Sequence, residues 1–244
     1  MEIDYEALVY DANPDNRIIA AENGVGLDIL VHDPVPEVRL AVALMGYQLE
    51  TLLEDDDPTV RDTAKYMSYV ESCYYFERIE AAEHGFGLNT LVYDKEWLVR
   101  VRVAQHGFGL DILIRDKDWR VREAVAEQGF GLDILIQDDD LDVRVAVAKQ
   151  KYRLDILVND KSPHVRATVA EQGYGLEILI SDAAPPVRLA VAQQGYGLDT
   201  LIEDDSIAVR AAVAAQGYGL DILIKDEDRV VREAAEKALR KANT

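Results

Sequence analysis

The chain has 244 residues, is 49% hydrophobic and carries a formal charge of −20, which is enough apolar content for a substantial core and a charge that repels phosphate backbones and anionic lipid head groups. Direct nucleic-acid or membrane binding is therefore not expected. The lone Cys73 excludes an intrachain disulfide framework and a four-thiolate metal centre and suits a reducing cytoplasm; Met1 to Tyr5 lack the features of a signal peptide, and no apolar run reaches the roughly 18 residues that span a bilayer.

Gly85, Gly107 and Gly129 open Gly-Phe-Gly-Leu, and Gly173, Gly195 and Gly217 open Gly-Tyr-Gly-Leu, a step of 22 residues. Filling that register starts repeats at 2, 24, 46, 85, 107, 129, 151, 173, 195 and 217, and all 15 glycines fall inside the motif. In chain order, residues 1–23 form an N-terminal capping repeat without the glycines, 24–67 regular repeats, 68–84 a truncated one, 85–231 regular repeats, and 232–244 a C-terminal capping helix with a polar, basic end. These form one repeat domain, predicted to be complete at both ends.

Each repeat opens with a short turn, α or 3-10, over Leu-Asp-Ile-Leu-Ile. A longer helix of about ten residues follows. Its first position is Pro in five repeats (Pro14, Pro36, Pro58, Pro163, Pro185), preceded in seven by an N-capping Asn, Asp or Ser (Asn13, Asp57, Asp118, Asp140, Ser162, Ser206, Asp228). Apolar residues recur at three- and four-residue spacing, as at Val121, Ala124 and Val125, until the next glycine ends the helix. Two such short helices cannot bury their apolar stripe alone, so the repeats must stack. The fold class is an all-α solenoid of roughly 22-residue two-helix repeats.

Two charges never vary in these ten repeats: position 10 is Asp (among them Asp116, Asp138, Asp160) and position 16 is Arg (among them Arg122, Arg144, Arg166). Their recurrence at every step predicts a structural ladder in which Arg bonds the Asp of its own or an adjacent repeat and ties down loop amides.

The run Val121-Arg-Glu-Ala-Val-Ala-Glu-Gln-Gly129, followed by Leu132, Leu135 and Asp138, resembles the leucine-rich repeat variant family, and Asp55 to Arg61 is similar to HEAT repeats. This resemblance implies a right-handed superhelix of alternating helices. The chain departs from the variant family by using Gly-aromatic-Gly in place of Asn-Pro and Thr-Pro and by its shorter repeat. It also lacks the cysteine cluster that the family's iron–sulfur module needs.

Chemistry is hard to place on this sequence. The Gly-x-Gly pairs never gain the third glycine of a dinucleotide fingerprint. His32, His84, His106 and His164 have no second ligand at metal spacing, and Ser, Thr and Cys lack a partnered His. No catalytic residue, metal or cofactor is predicted.

Binding is the remaining class. Without the ladder pairs, 36 acidic residues face 16 basic ones. Position 5 is acidic in eight repeats (Asp28, Glu50, Asp111, Asp133, Asp155, Glu177, Asp199, Asp221), so stacking draws a carboxylate column. It serves either solubility and dipole matching or a basic partner. The truncated repeat carries Tyr69, Tyr74, Tyr75 and Phe76, with Tyr66 just before it, either as a binding hot spot or as filler for a missing turn. Trp97 and Trp119 replace the helix-opening Pro in neighbouring repeats, and Lys151-Tyr-Arg153 replaces both glycines of one repeat. The expected partner is a basic or nucleic-acid-binding protein. A non-enzymatic scaffold and a nucleic-acid mimic that inhibits a nuclease are the two functional expectations, and neither fixes the oligomeric state.

Overall fold

A computed structural model describes residues 3–242, and among them every regular element is α-helical. The chain forms two compact parts, residues 1–113 and 114–244. The first contains α1 (Tyr5–Leu8), α2 (Pro14–Glu22), α3 (Leu27–Leu30), α4 (Pro36–Leu44), α5 (Leu49–Leu52), α6 (Pro58–Val70), α7 (Tyr75–Glu83), α8 (Leu88–Leu91), α9 (Trp97–Gln105) and α10 (Leu110–Leu113). The second contains α11 (Trp119–Glu127), α12 (Leu132–Leu135), α13 (Leu141–Lys149), α14 (Leu154–Leu157), α15 (Pro163–Glu171), α16 (Leu176–Leu179), α17 (Pro185–Gln193), α18 (Leu198–Leu201), α19 (Ile207–Ala215), α20 (Leu220–Leu223) and α21 (Arg229–Ala242). A four-residue helix alternates with a long one in each part, except that α7 follows α6 directly, and successive long helices within each part pack on one another as repeats of a solenoid. Residues 1, 2, 243 and 244 of the two expected caps lie outside the described residues. The basic C-terminal turns continue the last repeat's own long helix, which starts at Arg229.

Local chemistry explains the alternation. Asn13, Asp57, Asp118, Asp140 and Asp228 accept backbone amides of the next turn, whereas Ser162 and Ser206 occupy the same place without a capping bond. At the other end Gly173 N donates to Ala170 O and Tyr174 N to Val169 O, the paired bonds of a left-handed helix stop. The third residue of the repeat is left-handed too, as at Gly175 (φ 64°), and turns the chain into the short helix. The core is a row per position: Leu30, Leu52 and Leu91 in the first part and Leu135, Leu157, Leu179, Leu201 and Leu223 in the second are all buried, as are Val and Ala of the long helices.

Lys151 and Arg153 keep the left-handed backbone of the glycines they replace, at φ 58° and 46°. An L-residue there costs about 1–2 kcal/mol, partly offset by the greater unfolded-chain entropy of glycine. Lys151→Gly is therefore expected to stabilise the protein by about 0.5–1 kcal/mol, read as a higher urea midpoint. A midpoint that falls contradicts the strain.

The truncated repeat is a fusion. Helix α6 has 13 residues where the other long helices of the first part have 9, and only residues 71–74 separate it from α7. Its last residue, Val70, packs where a Cβ on Gly87 would sit, the contact that Val92 makes below Gly109. The end of α6 thus substitutes for a short helix, and the Gly-x-Gly turn is lost.

Candidate functional site

The ladder has a direction. Arg144 Nε and Nη2 donate to Asp160 Oδ2 and Oδ1 at 2.7 and 3.0 Å, sixteen residues ahead, while Nη1 donates to the carbonyl of Asp138 in its own repeat at 2.7 Å. Asp160 Oδ1 also accepts the Ser162 amide at 2.7 Å. Arg122–Asp138, Arg166–Asp182, Arg188–Asp204 and Arg210–Asp226 repeat this fork in the second part. In the first part it recurs at Arg17–Asp33, Arg39–Asp55 and Arg78–Asp94. Arg122 also bonds the carbonyl of Asp116, whose carboxylate accepts the Asp118 amide. Arg78 belongs to the fused repeat, so that repeat keeps its arginine. Ser72 takes the Asp position there, accepting the Tyr74 amide at 3.1 Å and donating to Glu77. Among the described residues Arg61 consequently has no carboxylate partner and bonds only the Asp55 carbonyl.

Six of these pairs hold their carboxyls, Asp33, Asp55, Asp138, Asp182, Asp204 and Asp226, below the ordinary range. The Arg39 hydrogen bond takes Asp55 down to about 2, and the Arg166 and Arg210 bonds lower Asp182 and Asp226. For Asp33, Asp138 and Asp204 burial pulls upward most strongly, but the arginine and the amide two residues on prevail. A carboxyl depressed in the folded state adds stability above its unfolded pKa, about 3.9, and loses it as the pH falls toward the folded value. For Asp55 that contribution is about 2 kcal/mol. Helicity monitored by circular dichroism is expected to be retained at pH 5 and lost between about pH 4 and 2; full helicity and undiminished urea resistance at pH 2 contradict the ladder's role.

A second, uncharged ladder runs beside it and was not anticipated from the sequence. Gln150, Gln194 and Gln216 each donate a side-chain N–H to the carbonyl 23 residues back, Glu127, Glu171 and Gln193, at 2.9, 3.2 and 2.8 Å. His106 Nε2 lies 2.8 Å from the Glu83 carbonyl in the corresponding place.

The position-5 acids stand apart from both ladders. Asp28, Glu50 and Asp111 in the first part and Asp133, Asp155, Glu177, Asp199 and Asp221 in the second are exposed on the short helices, and Glu6 on α1 extends the series. Among the described residues, Asp155 alone of these has an ion-pair partner, Arg153, at 3.0 Å. The next residue is an exposed isoleucine in most repeats: Ile134, Ile156, Ile178 and Ile222 are 47–60% exposed. Phe130, Tyr174, Tyr196 and Tyr218 at position 2 are also exposed. Four repeats of the second part therefore each present an exposed aromatic ring, a carboxylate without an ion-pair partner and an exposed aliphatic or Thr side chain, while in the repeat starting at 151 Tyr152 is half-buried and Asp155 is paired. This isoleucine lies in the middle of the Leu-Asp-Ile-Leu-Ile turn, and only its exposure reveals the stripe.

The aromatic break divides into two groups. Tyr66 stacks on His84 and Phe86, with ring centroids 4.0 and 5.3 Å away, meets Tyr69 edge-on at 6.2 Å, and carries Lys65 Nζ 4.8 Å from its centroid. Tyr74, Tyr75 and Phe76 are exposed at the start of α7, where Phe76 stacks on Tyr74 at 5.4 Å. Tyr66 and Tyr69, half-buried, fill space at the end of α6; the second group is open to solvent. Trp97 lies in the first part and Trp119 in the second, both half-buried, and Arg120 lies 5.7 Å from the Trp119 ring while bonding Asp118. Cys73 is exposed. Among the described residues no cluster of three or more His, Cys, Asp or Glu side chains is placed to hold a metal ion, and no helix is long and apolar enough to cross a membrane.

No family model and no curated protein matches the sequence. Among solved structures the chain is similar to the X-ray structure of Escherichia coli YibA, at 16% identity and a TM-score of 0.31, with 94% of this chain and 98% of that one covered.

Proposed function

We propose that the protein is a non-enzymatic, cytoplasmic repeat scaffold, related to the leucine-rich repeat variant and HEAT-like repeats, that binds a basic segment of a partner protein along its short-helix face. The observation that carries this reading is the trio of exposed aromatic, carboxylate and aliphatic or Thr side chains in four repeats of the second part, where Asp133, Glu177, Asp199 and Asp221 have no ion-pair partner among the described residues, whereas an arginine neutralises every ladder Asp there from Asp138 onward. Stacked helices lie about 8–10 Å apart, and three residues of a peptide in the polyproline II conformation span about 9 Å and return the side chain to the same face. A segment with Lys or Arg at every third position would meet one carboxylate per repeat, its aliphatic stems lying on the isoleucines.

A nucleic-acid mimic needs two acidic rows at groove-like separation. The loop positions that would supply the second row mix signs, with Lys117, Asp139 and Lys161 in successive repeats and Arg115, Gln137 and Asn159 two residues earlier. This favours peptide capture over mimicry.

The test is fluorescence anisotropy with a synthetic peptide carrying Arg at every third position. The variant Asp133→Asn/Asp155→Asn/Glu177→Gln/Asp199→Asn/Asp221→Asn is expected to bind it at least about tenfold more weakly, with a flatter salt dependence. An unchanged Kd sinks the proposal. A basic partner that this protein displaces from DNA, with no affinity for the peptide, would establish mimicry instead.

A further inference from the structure

Where α6 runs on in place of a Gly-x-Gly turn, the first part has a cleft of about 570 Å³, lined among others by Leu44, Met45, Met67, Val70, Asn89 and Thr90. The residues around it abandon the repeat pattern in one direction. Position 22, Gln in five consecutive repeats from Gln128 to Gln216, is Met45, and position 21, elsewhere often Glu or Gln, is Leu44. These two apolar side chains are 45% and 51% exposed. Asn89, also in the lining, is the one uncharged residue in the position-5 series, so the carboxylate series is interrupted at the cleft. Around the same gap Leu44 and Met45 add apolar surface and Asn89 removes one carboxylate, while Glu71 remains in the lining.

We propose that this cleft is a docking slot for one short amphipathic helix of a partner protein, anchored by aliphatic side chains one turn apart and bearing a Lys or Arg at its edge. Leu44, Met45 and Met67 provide a deformable apolar bed of the kind that accepts a helix face. Gly46, where a Cβ would meet nothing within 4 Å, lines the cleft without a side chain and allows close backbone approach. The charge of the occupant follows from Glu71 at the cleft edge and exposed Glu50, adjacent to Leu49, which also lines it. The slot lies in the first part and uses none of the five carboxylates replaced in the test of the short-helix face, so the two surfaces fail or survive independently.

The test is selection of a displayed helical-peptide library on the full chain, with counter-selection on Leu44→Glu/Met45→Gln. Both substitutions are exposed and install residue types found at these positions in other repeats, so an unchanged thermal melt is the control. Expected are peptides with paired aliphatics at three- or four-residue spacing and a basic residue, whose Kd weakens at least about tenfold in this variant and is unchanged in the five-carboxylate variant. Recovered peptides that bind both proteins equally, that carry Pro and no helical spacing, or an absence of enrichment overturn the proposal. Dimerisation of the wild type that the variant abolishes also overturns it, by assigning the slot to a second copy of the chain.

Discussion

Arg144→Ala is expected to lower stability by about 3 kcal/mol. The Arg144 and Asp160 side chains are only 4% and 8% exposed, and the substitution strips Asp160 of its bidentate partner and leaves the Asp138, Asp139 and Asp140 carbonyls without the Nη1 donor they share. Breaking a buried pair from one side is costly because the remaining charge stays buried. Arg232 gives the internal comparison: among the described residues it bonds the Asp226 and Glu227 carbonyls and no carboxylate. Arg232→Ala should therefore cost about 1 kcal/mol. Urea denaturation followed by circular dichroism measures both; equal losses would show that the inter-repeat fork contributes nothing beyond the loop bonds.

The two glycines of a repeat are expected to respond differently to the same substitution. Gly87→Ala and Gly107→Ala both place an L-residue at positive φ, 61° and 73°, at about 1–2 kcal/mol. At Gly107 a Cβ meets nothing within 4 Å, whereas at Gly87 it falls 2.4 and 2.7 Å from the two γ-methyls of Val70. A buried, β-branched valine cannot rotate both methyls away, and overpacking of this kind adds about 1–3 kcal/mol. Gly87→Ala should thus lose about twice the stability of Gly107→Ala or more, as measured by their urea midpoints. Equal losses would mean that backbone strain alone sets the glycine requirement.

Strict repetition made the helix boundaries legible. Pro at the first helical position, Asp one residue earlier and glycine at the stop act through bonds a few residues away, so a single repeat contains the whole cause. Ser162 and Ser206 show the limit of that reasoning, since the right residue type at the right place makes no capping bond. The short segment, readable as α or 3-10, is α-helical throughout. Partners across repeats were less legible. An invariant Asp and Arg implied a ladder, yet only the stacking geometry selects the Asp sixteen residues ahead and gives Gln150, Gln194 and Gln216 a carbonyl 23 residues back. Ile134 and Leu135 are both aliphatic, and sequence alone could not assign one to solvent and the other to the core. The 17 residues of 68–84 looked like a remnant because the lost turn is visible in the sequence, whereas the extension of α6 that replaces it depends on Val70 reaching its place against Gly87.

The isoleucines beside the carboxylates provide the most direct probe of the binding face. With isoleucine δ1-methyls labelled, addition of the arginine-patterned peptide is predicted to shift Ile134, Ile156, Ile178 and Ile222 together in the methyl NMR spectrum, leaving Ile207, exposed at the start of α19, in place. A shift at Ile207 with those four unmoved would contradict the assignment of binding to the short-helix face.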